Sequence, residues 1–305
     1  IVWIMMIAGF AVTASVVGQL LDPFTMSRLI SVTAGTSAIA VLVSILAVWG
    51  VEGRGESGSE AEPVDSVEGT GARISFKVAL SEVWEEPQAR RFTVFVFVSM
   101  LAYSAQDLIL EPFAGLIHGY TPGESTSLAG VQHGGVLLGM ILTAVVGTTI
   151  GRSRAWFMRL WTMGGCVASA AALAALAFGA LVGPAWPLSI SVFALGVANG
   201  AFAVAAIGSM MTLASVGRPG REGLRMGLWG ASQAIAFGLG GFLGAAAIDI
   251  TRATLGEPSM AFAIVFAAEG LAFLVSAWLA GRVGRTGADD MRLPVMPAGE
   301  RLAIE

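Results

Sequence analysis

Charged residues are scarce in this chain. Only 12% of its 305 residues are Asp, Glu, Lys or Arg, whereas 55% are hydrophobic. Soluble domains carry about 25% charged residues, so too few charges remain here to cover a surface that faces water. The apolar runs also lack the alternating polarity of membrane β-strands. The shortage of charge therefore excludes a water-soluble fold and predicts an all-α integral membrane protein.

Cysteine is nearly absent, and so are the motifs of most enzymes. The single cysteine, Cys166, lies in an apolar stretch, which excludes an internal disulfide framework or a cysteine metal site and predicts a small buried core residue. No phosphate loop, nucleotide fingerprint, catalytic triad or zinc-ligand spacing occurs. The acidic residues concentrate in one linker and the basic residues form no continuous face. We therefore expect neither an enzyme nor a nucleic-acid-binding protein.

Long apolar runs are abundant, and eight of them are long enough to cross a bilayer. A spanning helix needs about 20 predominantly apolar residues. The runs cover residues 1–21, 29–51, 92–117, 127–150, 155–182, 187–216, 224–250 and 260–283. Residues 160–217 contain no charge and are too long for one span, and the sequence GPAWP supplies the turn that divides them.

The basic residues orient these spans. All but two of the 17 Lys and Arg residues fall in alternate loops, the exceptions being Arg28 and Arg252. Because loops rich in Lys and Arg face the cytoplasm, we expect both ends of the chain to be cytoplasmic. The chain begins inside an apolar run without a basic segment before it, so we expect it to be part of a longer protein.

One long connection, residues 52–91, separates the second span from the third. Its first part is acidic and rich in Gly and Ser, which predicts disorder. Its second part reads ISFKVALSEVWEEPQARRF, with Phe76, Leu80, Val83 and Trp84 at helical spacing. This pattern predicts an amphipathic helix on the inner membrane surface that ends at Pro87.

Two spans before a long cytoplasmic loop and six after it match the later part of a major-facilitator-like bundle. Four further spans would then precede residue 1. On this interpretation residues 1–51 contain the last two spans of an N-terminal half-bundle, and residues 92–284 form a C-terminal half-bundle of six spans. Residues 285–305 are expected to be a cytoplasmic tail.

Polar residues inside the spans are the candidate functional residues, because a charge at bilayer depth costs at least ~2.5–3.5 kcal/mol. Most of them lie toward the outer side of the hairpin formed by the third and fourth spans. They are Gln106, Asp107, Glu111, His118, Gln132 and His133. They could cap helix ends, relay protons in a transporter, or bind a ligand such as a chlorin, with His133 as candidate axial ligand of its magnesium. The residues alone leave these three interpretations open.

Three further polar residues occur in later spans. Asn199 and Gln233 are expected to hydrogen-bond across helices. Glu269 lies deep in the last span without a cation nearby in sequence, so a protonated structural acid and a functional acid are equally compatible with its position. Pairs of glycines four residues apart, which favour close helix packing, occur at Gly135/Gly139, Gly147/Gly151, Gly196/Gly200 and Gly240/Gly244.

Two segments and the order of spans resemble the PucC/LhaA family of photosynthetic bacteria. The segments are SAQDLILEPFAGLIHGYTPGESTSLAGVQHGGVLLGM (residues 104–140) and GREGLRMGLWGASQAIAFGLGGFLG (residues 220–244). The family is major-facilitator-like with twelve spans, and it is implicated in assembling light-harvesting complexes and handling bacteriochlorophyll. Residues 147–159, GTTIGRSRAWFMR, lack the aspartate of the transporter loop signature, which weakens the case for alternating access.

The resemblance implies a non-enzymatic assembly factor in the photosynthetic intracytoplasmic part of the bacterial inner membrane. Its partners would be the light-harvesting α and β polypeptides, membrane lipids and the reaction-centre–antenna core, with the core antenna slightly favoured. Its cofactor would be bacteriochlorophyll, with carotenoid or lipid as further ligands. Two alternatives stay open: a secondary transporter with Asp107, Glu111 and Glu269 as coupling acids, and a structural subunit of an antenna complex.

Overall fold

The computed structural model describes residues 2–49, 76–149, 155–216 and 222–283. Within these ranges the chain forms nine α-helices and no strand. They are α1 (Val2–Leu21), α2 (Met26–Val48), α3 (Phe76–Glu85), α4 (Pro87–His118), α5 (Pro122–Thr149), α6 (Ala155–Val182), α7 (Leu188–Val216), α8 (Glu222–Leu255) and α9 (Pro258–Val283). All except α3 are long and apolar enough to span a membrane, which confirms the eight predicted spans and the all-α membrane class. The predicted disordered part of the linker and the predicted tail lie outside the described residues.

Local sequence signals set several helix ends. Thr25 caps α2, because its hydroxyl accepts a hydrogen bond from the Arg28 backbone N–H at 3.2 Å. Gly119 follows α4 with φ of 73°, a left-handed conformation that favours glycine at a helix C-terminus. The predicted turn between the fifth and sixth spans is confirmed as a short 3₁₀ helix, Gly183–Ala185.

Aromatic side chains fill the interior between α4, α7 and α9. The Phe202 ring of α7 lies 6.1 Å from Phe95 of α4 and 6.0 Å from Phe273 of α9, centroid to centroid. Phe113 of α4 lies 5.0 Å from Phe266 of α9. Helix α6 packs against both α7 and α9, so these helices surround one shared core.

Glycines form the seams between several helices. Gly135 and Gly139 of α5 lie against backbone atoms of α7, and Gly196 and Gly200 of α7 lie against the backbone of α5. Glycines of α8, Gly240 and Gly244, lie in the same way against α4. A side chain at any of these positions would meet neighbouring backbone. Three of the four predicted glycine pairs are therefore confirmed as packing sites, while Gly151 of the fourth pair lies outside the described residues.

The first two helices are more exposed than the rest. Helix α1 packs on α5, where Gly18 lies against Ser127 and Gly130 lies against Ser15. Helix α2 has no buried residue, and its large side chains include Leu42 at 57% and Leu46 at 65% exposure. Such apolar exposure is compatible with contact to lipid rather than water.

A helix, α3, occupies the segment predicted to be an amphipathic helix, and Pro87 begins the next helix immediately after it. It packs against α4 and α8, with Val83 fully buried and Trp84 44% exposed. At the junction, the buried Arg225 guanidinium of α8 forms a salt bridge to Glu86, with Nη2 2.7 Å from Oε2. The N-terminal ends of α4 and α8 are therefore held together by a partly buried ion pair.

Candidate functional site

A cavity of about 490 Å³ lies between α1, α4, α5, α7 and α8. This volume falls in the range of about 300–1,000 Å³ that ligand pockets occupy. Most of the wall is apolar, with Trp3, Phe10, Met100, Tyr103, Met140 and Phe237 among its residues. Its polar residues are Asp107 from α4, His133 from α5 and Gln233 from α8. An apolar cavity with a few polar groups is typical of a small-molecule site.

His133 presents its imidazole to this cavity. Its Nδ1 atom lies 2.8 Å from the backbone oxygen of Ala129. Because a carbonyl oxygen only accepts hydrogen bonds, Nδ1 is the donor, and in the neutral imidazole Nε2 then keeps its lone pair. No hydrogen bond from the described residues reaches Nε2, and the Phe10 ring packs edge-on against the imidazole at 5.5 Å. Histidines that bind metals are held by this kind of hydrogen bond from the opposite ring nitrogen.

Asp107 of α4 lines the cavity together with His133 and is hydrogen-bonded to α5, the helix that carries His133. The buried Gln132 of α5 donates from Nε2 to Asp107 Oδ1 at 3.3 Å. This hydrogen bond crosses from α5 to α4 and positions the carboxylate at the cavity wall. The cavity therefore combines one imidazole with one carboxyl group.

The structure brings three of the six hairpin candidates together and separates the others. Gln106 is fully buried on another face of α4, and Glu111 is exposed one turn beyond Asp107. His118 lies at the end of α4, where its ring packs 5.0 Å from Phe113 and 6.3 Å from Tyr120. The hairpin is thus not one polar cluster, because helix rotation sends adjacent polar residues in different directions.

The three candidates in later helices also differ from one another. Asn199 makes the predicted bond across helices, accepting from Ser169 Oγ at 2.8 Å. Gln233 forms no such bond with the described residues, a correction to the prediction, because its side chain lines the open cavity instead of a helix seam. Glu269 is only 6% exposed, and neither carboxylate oxygen has a hydrogen-bond partner among the described residues.

The wall supplied by α1 was not predicted as functional. Trp3, Met6, Ile7 and Phe10 follow the spacing of one helix face, and all four line the cavity. The spacing is visible in the sequence. Because this span is apolar on every side, however, the sequence does not show which of its faces lines a cavity.

The described residues contain no group of three or more His, Cys, Asp or Glu side chains that could hold a metal ion. A bare cation would need such a group. A metal already held by a macrocycle needs only an axial ligand, because the ring supplies four nitrogens. The single imidazole and the apolar wall fit this second kind of metal group.

Comparison with known proteins identifies the family. The profile of the family described as "PUCC protein" matches residues 1–288. The "Bacteriochlorophyll synthase 44.5 kDa chain" of Rhodobacter capsulatus is 48% identical over 303 residues, covering 98% of this chain and 67% of that protein. "Protein PucC" of the same organism is 28% identical over 242 residues, covering 79% of this chain and 49% of that protein.

A further relative is the "Uncharacterized protein in puhA-bchM intergenic region" of Rhodobacter capsulatus, which is 29% identical over 307 residues and covers 94% of this chain. The chain spans 59% of that relative, and between about half and two thirds of the length of all three. No solved structure matches the chain significantly. Since the family profile covers nearly the whole sequence, this chain is a multi-pass membrane protein that belongs to the PUCC protein family.

Proposed function

We propose that this chain is part of a membrane assembly factor for bacterial light-harvesting antenna, and that its cavity holds a bacteriochlorophyll. The observation that carries the proposal is the placement of His133 in an apolar cavity, with Nδ1 bonded to the Ala129 carbonyl and Nε2 free of partners. The relative that is 48% identical has bacteriochlorophyll in its name, which supports this class of pigment.

Different residues of the cavity would make different contacts with such a pigment. A bound bacteriochlorophyll would supply a magnesium, and His133 Nε2 is the nitrogen that would hold it. Phe10 and the other apolar wall residues would exclude water from the pigment, and carotenoid or lipid tails suit the same surface. Asp107 and Gln233 would offer it polar contacts. The proposed role is binding and delivery, without a catalysed reaction.

The proposed partners are the light-harvesting α and β polypeptides, and the reaction-centre–antenna core, with the core antenna slightly favoured. Exposed apolar faces such as that of α2 would let single-span antenna polypeptides bind laterally within the bilayer. The proposed location is the photosynthetic intracytoplasmic part of the inner membrane, with both chain ends in the cytoplasm, as the distribution of Lys and Arg indicates.

The test is the pigment content of the protein purified in mild detergent from a photosynthetic host. His133→Ala is expected to reduce bound bacteriochlorophyll per protein at least ~10-fold, since even loss of a residue that only orients a metal ligand costs about 10–100-fold in affinity. His118→Ala is the matched control, because this second histidine lies outside the cavity, and it should retain wild-type pigment. Mass spectrometry of the same preparations should identify the antenna polypeptides.

Two outcomes would contradict the proposal. Unchanged pigment in His133→Ala would remove this residue as the axial ligand. Absence of pigment and of antenna polypeptides from the wild-type preparation would argue against the assembly role itself. Pigment without antenna polypeptides would favour carriage of the pigment alone.

A further inference from the structure

Five side chains have buried polar atoms without hydrogen-bond partners among the described residues. Besides His118 Nε2 and Trp229 Nε1, the unpaired atoms belong to three side chains of α4, α7 and α9. They are both amide atoms of Gln106, Nδ2 of Asn199 and both carboxylate oxygens of Glu269. The residues are 0%, 0% and 6% exposed, respectively. An unpaired polar group in an apolar environment costs several kcal/mol, and in the hydrocarbon core water does not routinely offset that cost. None of the three lines the pigment cavity.

Asn199 and Glu269 lie at the same level of the bundle. Ser169 of α6 donates a hydrogen bond to Asn199 Oδ1 of α7. The next residue of α6, Ala170, faces α9 beside Glu269, because a methyl group added at Gly270 would lie 3.4 Å from the Ala170 carbonyl oxygen. Further along α7 and α9, the Phe202 and Phe273 rings lie 6.0 Å apart, centroid to centroid. Asn199 precedes Phe202 by about one turn, and Glu269 precedes Phe273 by about one turn. Both residues therefore lie about one helical turn before the same contact between Phe202 and Phe273.

Helix α4 brings Gln106 to the interior between these helices. It packs against α9 through Phe113 and Phe266. Gln106 is buried, whereas its neighbour Asp107 lines the cavity. Helix α4 therefore separates the cavity, which Asp107 lines, from the buried polar residues, which include Gln106.

Glu269 has no cation to neutralise it. Among the described residues no Lys, Arg or His pairs with it, and the charged residues of α6 and α8 lie near the ends of those helices. Asp107 of α4 is an acid as well, so it offers Glu269 no neutralising cation. An ionised Glu269 would therefore be an unpaired buried anion.

We propose that Gln106, Asn199 and Glu269 form a hydrated proton-binding site in the interior of the bundle. Glu269 holds the proton as a neutral carboxylic acid, and water bridges it to the two amides, which together offer the two to four polar partners that a buried water needs. The site is distinct from the pigment cavity.

Infrared spectroscopy of the purified protein tests this site directly. The wild-type protein should show a carbonyl stretching band of a protonated carboxyl group, which moves on transfer to D₂O because the proton exchanges. Glu269→Gln should abolish the band and fold with wild-type thermal stability, since a neutral amide replaces a neutral acid of the same size. Glu111→Gln is the matched control, because Glu111 is an exposed carboxyl on α4, and it should keep the band.

Each alternative result overturns the proposal. A band that persists in Glu269→Gln would assign the proton to another residue. A band that does not move in D₂O would show a sealed structural acid without access to water. Failure of Glu269→Gln to fold would show that the charge itself is required. These outcomes do not depend on whether the cavity binds a pigment.

Discussion

Removing Glu86 is expected to destabilise the bundle more than removing its partner Arg225. The Arg225 side chain is 1% exposed, whereas that of Glu86 is 24% exposed. Arg225 binds Glu86 through Nη2, which lies 2.8 Å from Oε1 and 2.7 Å from Oε2, and through Nε, which lies 3.2 Å from Oε2. Its remaining hydrogen bond among the described residues runs from Nη1 to the Ala214 oxygen at 3.4 Å. Glu86→Ala therefore leaves a buried cation almost unpaired, while Arg225→Ala leaves a carboxylate that solvent can reach.

The difference in burial determines the expected magnitudes. Removing one partner of a buried ion pair costs about 3–5 kcal/mol, because the remaining charge stays desolvated. We expect Glu86→Ala to fall in this range. Arg225→Ala should cost ~2 kcal/mol, the size of hydrogen bonds to a charged group, because Glu86 can regain water. The coupling energy between the two changes should be about 0.5–3 kcal/mol.

Unfolding in mixed detergent micelles, followed by circular dichroism, would measure these free energies for the two single variants and the double variant. Arg90→Ala is the control, because Arg90 is an exposed cation on the same first turn of α4, and its loss should change stability by less than ~0.5 kcal/mol. A larger cost for Arg225→Ala than for Glu86→Ala would refute the argument from burial. Equal effects of all three single variants would refute the ion pair as a stabilising contact.

Two further predictions concern the seams of α5. Gly200→Ala should destabilise the protein by about 1–3 kcal/mol in the same unfolding assay, because its methyl group would meet the Val136 backbone. The control Gly134→Ala should leave stability unchanged, because its methyl group would enter open space. Equal losses of stability in the two variants would contradict the close packing of α5 and α7 at Gly200. Trp161→Phe should cost about 1 kcal/mol through loss of the 2.7 Å hydrogen bond from Nε1 to Thr143 Oγ1, and an unchanged stability would show that this bond contributes nothing.

The sequence alone predicted much of the architecture. Each apolar run long enough to cross a bilayer became a helix, because a spanning segment must satisfy its backbone hydrogen bonds internally. The amphipathic spacing around Val83 predicted α3, and Pro87 predicted its end. Glycine pairs such as Gly196/Gly200 predicted helix seams, since only a residue without a side chain lets two backbones approach so closely.

The candidate site was predictable only in part. The polar residues stood out because they are rare in apolar spans, and the sequence placed most of them toward one side of the hairpin formed by the third and fourth spans. The sequence did not predict which of these residues face one another, because Gln106 and Asp107 are neighbours in sequence yet lie on different sides of α4. Arg225 carried no signal either, because in the sequence it is one more cation near a loop.

The sequence by itself determined that this protein is a membrane bundle, where its spans lie and which rare polar residues they contain. Only the tertiary structure decided that His133 and Asp107 share a cavity and that Glu269 lies in the interior instead. The physical reason is the uniformity of the spans. A helix that is apolar on every side has no preferred face toward its neighbours, so its rotation is set by side-chain and glycine packing against other helices, which appears only in the folded bundle.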